Sequence, residues 1–270
     1  MDNFFSVGSA TADVTPPLSI PFLTGEAEDL PKGVHDPLYA RALVVGEGDD
    51  RVAHVVEDTL GCIRDILGSD RDFFDEVRQR VQADCGIPAD RIMISATHGH
   101  GSPDTLGSIC LRERDGAMDW LESHRDKLAA VIVAADTDRR PARLKIGTCQ
   151  IEGVGRSRRH KGPSGKIEPV PYPSEDAGGS WGPVDNELTL LCFESAKGEP
   201  AVIVTHYTCH PVSVQCQPLL TADFPGVVTS VLEKTVAGCR TCIFVQGACG
   251  DINPWFGDEP DFELGDPPPV

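Results

Sequence analysis

Arg91-Ile92-Met93-Ile94-Ser95-Ala96-Thr97-His98-Gly99-His100-Gly101 is the stretch from which the rest of this chain is read. Its first half is a short apolar run with two isoleucines, a length and composition that suit a buried strand better than an amphipathic helix. Its second half is polar. Two imidazoles stand one residue apart just past the strand end, so both can point to the same side. Gly99 and Gly101 let the backbone come close to a ligand. Polar groups delivered at a strand end are how open α/β sheets carry their sites. An HxH pair also arises in ordinary loops, so alone it does not decide between a metal site and satisfied surface histidines.

On either side the pattern alternates strands with helices. Phe4–Gly8 predicts a short first strand. Ala40–Gly46 and Val52–Glu57 are β-rich runs joined by Glu47-Gly48-Asp49-Asp50, a hairpin signal. Ser69–Asp84 is helical, with Phe73, Val77 and Val81 at four-residue spacing and Gly86 closing it. A second helix covers Met118–Ala135, with Leu121, Leu128, Val131 and Ala135 on one face. Ala142–Thr148 follows as a strand. Glu187–Phe193 and Ala201–His206 form a second hairpin around Ser195–Glu199. A helix at Pro225–Val236 and a strand at Thr241–Val245 complete the set. Residues 152–183 hold seven glycines and five prolines and keep no apolar period, which predicts a long loop covering the site. The expected fold is α/β: a layered domain with a mixed β-sheet flanked by helices. It would span residues 1–256, with 257–270 an acidic, Pro-rich tail. No internal repeat is visible.

Composition narrows the function. The chain has 270 residues, 40% of them hydrophobic, and a net charge of −18. That field repels nucleic acid and anionic membranes, both of which are held through Lys and Arg. No apolar stretch approaches the ~18–20 residues of a membrane span, and the first residues, Met1–Phe5, have no basic flank of a secretory signal. The expectation is a soluble, cytoplasmic protein without a stable membrane anchor. Its ten cysteines would then be reduced thiols. Cys239-Arg240-Thr241-Cys242 is a lone CxxC, and zinc ribbons need two. The basic residues are uneven: residues 139–166 hold nine of the 24, against the single acid Glu152. A solvated basic face and an arm that meets an anionic ligand both fit.

Two further apolar strands end in polar groups. His206-Tyr207-Thr208-Cys209-His210-Pro211 offers His210, its exit fixed by Pro211. Gly247-Ala248-Cys249-Gly250-Asp251-Ile252-Asn253-Pro254 offers small residues, then Asp251 and Asn253, which could cradle a reacting group or simply form a capped turn. Other templates fail. Gly178-Gly179-Ser180-Trp181-Gly182 matches GxSxG, but no strand precedes it as a nucleophile elbow requires. There is no P-loop, no GxGxxG and no HExxH. The metallophosphoesterase pattern lacks its DxH and GNHE.

Taken in order, these segments resemble the neutral/alkaline (non-lysosomal) ceramidase family. The likeness runs from Val7-Gly8-Ser9-Ala10-Thr11-Ala12-Asp13-Val14-Thr15-Pro16 through His35-Asp36-Pro37-Leu38-Tyr39-Ala40-Arg41-Ala42 to Ile94–Pro103, which is similar to the family's Thr-His-Thr-His-Ser-Gly-Pro loop. Gly155-Arg156-Ser157 resembles an Asn-Arg-Ser segment. Asp185–Leu191, His210-Pro211, Thr221-Ala222-Asp223 and Gly250-Asp251-Ile252-Asn253-Pro254 follow in the family's order.

The resemblance implies a zinc-dependent amide hydrolase acting on an N-acyl bond of a lipid-like or other small substrate. Zn²⁺ would be held by His98 and His210, with Asp223 or Asp251 as a candidate to complete the site from within the chain. His100 would stand over the activated water, Arg156 would help hold the reacting carbonyl, and Asp251 would join them. Gly247 and Asn253 are the candidates for substrate contact; the family carries Ser where this chain has Gly247. The family's remaining ligands, a Glu and a Tyr, fall beyond residue 270. The alternative is a truncated or inactive homologue that binds metal or ligand without turnover.

Overall fold

The computed structural model describes residues 4–24, 27–107, 111–170, 178–214 and 217–254. The expected tail at 257–270 lies outside the described residues, as does the domain boundary at 256. Eight strands form the central sheet: β1 (Phe5–Asp13), β2 (Tyr39–Val45), β3 (Val52–Glu57), β4 (Ile92–Ala96), β5 (Arg140–Gln150), β6 (Glu187–Ser195), β7 (Pro200–Tyr207) and β8 (Thr241–Gln246). Three helices accompany them: α1 (Phe73–Cys85), α2 (Ala117–Thr137) and α3 (Asp223–Thr235). None of the described helices is long and apolar enough to cross a membrane.

Local chemistry sets these elements. Asp72 caps α1 by accepting from the Asp75 amide at 3.0 Å, so the helix starts four residues later than Ser69 suggested. Phe73, Val77 and Val81 are fully buried on one face, each contributing about 1.5–3 kcal/mol. The predicted stripe of α2 is buried too, joined by Trp120, His124 and Ile132. β1 runs to Asp13 rather than Gly8, because Ser9–Asp13 ladder with β2 in unbroken register. Its small and polar residues carry no apolar signal, and pairing alone holds them extended.

The strand order is β8-β7-β6-β5-β1-β2-β3-β4. Each half repeats one design. An antiparallel hairpin is followed by a helical crossover to a parallel outer strand: β2 and β3 through α1 to β4, and β6 and β7 through α3 to β8. The sequence shows no repeat, yet the topology has one. Helices α1 and α2 cover one face of β1–β4. The other face folds onto the second half: Val56 of β3 shares a cluster with Val202 and Val204 of β7 and Ile243 of β8, and the Ser9 hydroxyl donates to that of Thr241 at 2.9 Å.

One expectation is corrected. The 152–183 segment is not an unstructured loop where described. Residues Gly155–Ser157 pair with Ile252–Pro254, and Arg159–Lys161 sit between Ile167–Pro169 and Ser180–Trp181 in a small sheet. Runs of two or three residues are too short to show a period, and backbone pairing replaces it.

Candidate metal centre

His98 follows β4 and His210 follows β7, strands that lie far apart in the sheet order. They meet because the sheet folds on itself, which brings β8 against β2, β3 and β4. Within this fold His98, His100 and His210 place their ligand-capable nitrogens within 4.8 Å of one another. Ring centroids are 4.7–5.2 Å apart.

Each ring has a distinct partner. His98 Nδ1 donates to the Leu60 carbonyl at 2.6 Å, and His210 Nδ1 donates to the Cys249 carbonyl at 3.0 Å. A carbonyl only accepts, so each Nδ1 carries a hydrogen, and the tautomer this selects has its lone pair on Nε2. His100 Nε2 lies 2.9 Å from His210 Nε2 and therefore donates to it. Burial pushes the His100 pKa down to about 3, and the charges of His210, His98 and Arg158 act in the same direction. Burial likewise pushes His210 down to about 4, against the opposing pull of the Cys249 carbonyl. Both imidazoles are neutral at pH 7, the form that binds metals.

The backbone around the cluster is held under constraint. His98 has φ 69°, an unusual conformation for a residue with a side chain. The Gly101 carbonyl accepts from the Thr221 amide at 2.9 Å, and the His100 amide donates to the Pro211 carbonyl at 3.3 Å. A Cβ at Gly101 would stand 2.7 Å from the Thr221 carbonyl oxygen, so glycine is required. Asp36 supports this segment, accepting from the Thr221 hydroxyl at 2.5 Å and the Ala222 amide at 2.8 Å.

The other predicted residues lie elsewhere. Asp223 does not join the histidines: its carboxylate is buried and accepts from the Val214 and Phe224 amides at 3.0 and 2.6 Å. It shapes the loop after Pro211 instead, in a left-handed conformation at φ 54°. Asp251 is also outside the cluster, its carboxylate taken by Arg159 Nε at 2.7 Å. Gly247 is explained by close approach, since a Cβ there would meet the Thr208 hydroxyl at 2.1 Å. Asn253 is buried, opposite Arg156 in the short strand pair. Arg156 lines a cavity of about 630 Å³ with Gly153, Gly179, Trp181 and Val184.

The sequence reading missed three supports. The carbonyls of Leu60 and Cys249 are main-chain atoms with no sequence signature. Gln246, at the end of β8, donates to the Thr97 carbonyl and accepts from the Cys209 amide. A polar residue closing an apolar strand was its one visible sign. The eight described cysteines are all free thiols, and none joins the histidines.

A model of the family described as "Neutral/alkaline non-lysosomal ceramidase, N-terminal" matches residues 5–259. The chain belongs to this ceramidase family. Neutral ceramidases of Drosophila melanogaster and Drosophila pseudoobscura pseudoobscura are each 38% identical to it, over 93% of this chain. The chain spans 36% of the length of either relative, so it corresponds to an N-terminal part of a ceramidase. Among solved structures, the neutral ceramidase from Pseudomonas aeruginosa superimposes with a TM-score of 0.74 at 20% identity, covering 98% of this chain and 42% of that one. A ceramidase complexed with C2 gives 0.73 at 21%, covering 94% and 39%. These two share the ceramidase fold with this chain.

Proposed function

We propose that this chain is the histidine-bearing part of a zinc-dependent amide hydrolase that cleaves an N-acyl bond, its substrate a ceramide-like lipid or another small amide. One observation carries the reading. His98 and His210 each anchor Nδ1 on a backbone carbonyl and aim Nε2 into one space, the outer-shell arrangement that orients metal-ligating imidazoles. His100 stands beside them, its Nε2 turned to His210, and among the described residues no carbonyl anchors its ring. Neutral imidazoles suit Zn²⁺. Bound there, the ion would supply Lewis-acid polarisation and a water of pKa about 7. His98 and His210 hold position. His100, whose Nε2 carries its hydrogen toward His210, would take a proton at Nδ1 and pass it to the leaving amine, its neutrality at pH 7 leaving that nitrogen free to accept one. Arg156, lining the cavity, fits the role of orienting the acyl carbonyl.

A second reading, binding without turnover, draws on Gly247: Thr208 fills the space a side chain there would need. The two readings separate on one measurement. The zinc-loaded chain, incubated with N-acyl sphingosine and with simple N-acyl amides, should release free fatty acid. One zinc per chain without any release favours the second reading, and no zinc at all defeats the first.

A further inference from the structure

Two consecutive carboxylates, Glu57 and Asp58, stand at the end of β3, and both are buried, at 1% and 3% exposure. Consecutive strand residues face opposite sides of a sheet, so each carboxylate meets its own partner. Glu57 turns toward α2, where His124 Nε2 donates to it at 2.5 Å. That imidazole is itself stacked on Phe73 and Trp120. Asp58 accepts from Arg41 Nη1 at 2.8 Å and from the Tyr39 amide at 3.0 Å. Arg41 is buried on β2 and also faces Glu233 of α3, in the second half, at 3.7 Å. The Glu233 carboxylate in turn takes the Cys242 amide of β8 at 2.9 Å.

Stability alone does not call for these pairs. Taking such groups out of water is costly, and well-packed apolar residues in their place are often as stable or more so. What sets them apart is the segment they hold. The Glu57 carbonyl accepts from the Thr97 amide at 2.9 Å, and the Leu60 carbonyl accepts from His98 Nδ1 at 2.6 Å. Residues 57–60 therefore grip both the backbone just before His98 and its ring. Glu57 ties this segment to α2, and Asp58 ties it through Arg41 to α3, so a shift in either direction breaks a buried pair. A functional side chain must be held to within about 0.5 Å of its productive place, by supports that are themselves locked.

We infer that Glu57 and Asp58, with His124 and Arg41 as their partners, are positioning residues for His98: they fix the Leu60 carbonyl, and through it the tautomer of the ring and the aim of its Nε2. This rests on the zinc-hydrolase reading for the identity of the ion, and not for the state of the imidazole.

The test removes each pair whole, so that no buried charge is left without its partner. One variant of the full chain carries Glu57→Leu with His124→Leu. The other carries Arg41→Met with Asp58→Asn, which keeps an acceptor for the Tyr39 amide. Zinc affinity is measured by competition with a chromophoric chelator, far below each unfolding midpoint, and the His98 tautomer by imidazole nitrogen NMR of the metal-free chain. Both double variants should bind zinc about tenfold or more weakly. The His98 ring should pass from one tautomer to a mixture, while His210, anchored on the Cys249 carbonyl, keeps its own. Glu57→Gln and Arg41→Lys should show smaller losses of the same kind, and they stand in for a double variant that does not fold. Asp136→Asn breaks the Arg51–Asp136 pair near the start of β3; it should lower the unfolding midpoint and leave both readouts unchanged. Parental zinc affinity with a single His98 tautomer in the variants would show that the pairs serve the fold alone, and overturns the assignment. If the parent chain binds no zinc, the hydrolase reading fails, and the His98 tautomer still decides the positioning role.

Discussion

The side chain of Gln246 donates to the main-chain carbonyl of Thr97 at 2.9 Å, across 149 positions of sequence. The same carboxamide accepts from the Cys209 amide at 3.3 Å. Thr97 and Cys209 immediately precede His98 and His210, so one side chain at the end of β8 fixes the registry of both imidazoles. Replacing it with Leu strands a carbonyl and an amide and should cost about 1–3 kcal/mol. Gln246→Leu should also weaken zinc affinity by about tenfold or more, a range seen when outer-shell supports are lost. Urea unfolding and zinc titration read the two effects. Destabilisation with unchanged zinc affinity would show that Gln246 serves the fold alone.

The histidines divide by their Nδ1 partners. His98→Ala and His210→Ala should each abolish stoichiometric zinc. His100→Ala should retain zinc while any hydrolysis falls roughly 10²–10⁴-fold. Metal analysis of the purified variants decides it: a full equivalent of zinc in His98→Ala would defeat the assignment.

Gly101 tests the interlock between the two loops. A methyl group there must push against the Thr221 carbonyl, a backbone atom. Gly101→Ala should cost about 1–3 kcal/mol and lower zinc occupancy as His100 is displaced. Gly116→Ala is no control, since its φ is positive. Gly147→Ala is one, because nothing lies near its Cβ position. A wild-type unfolding midpoint for Gly101→Ala would count against the packing described.

Stability should depend on pH in a definite direction. His100 and His210 titrate at about 3 and about 4 when folded, against about 6.5 in an unfolded chain. As pH falls below about 6.5 the unfolded state takes up protons that the folded state refuses. The metal-free chain therefore loses stability progressively down to about pH 4, on the order of 1 kcal/mol per histidine for each pH unit. His100→Gln should flatten that slope between pH 7 and pH 4.5 in urea titrations. An identical slope in both proteins would show that His100 titrates normally.

Much of this protein was legible because it is local. Phe73, Val77 and Val81 mark α1 by spacing, the β2–β3 and β6–β7 hairpins follow from apolar runs around polar turns, and His98, His100 and His210 stand out as polar groups ending apolar strands. Each is set by neighbours a few positions away, where periodicity and turn chemistry act. The family follows as well, because its motifs keep their order along the chain.

What tertiary structure alone decided depends on pairs distant in sequence. The eight-stranded sheet folds over so that the ends of β4 and β7 face each other, and only then do His100 and His210 come within hydrogen-bond reach. Asp223 reads as a ligand in sequence, yet backbone amides of the loop it shapes claim its carboxylate. Leu60 and Cys249 act through main-chain carbonyls that every residue possesses, so their importance comes from where the chain passes and leaves no trace in which residues it carries.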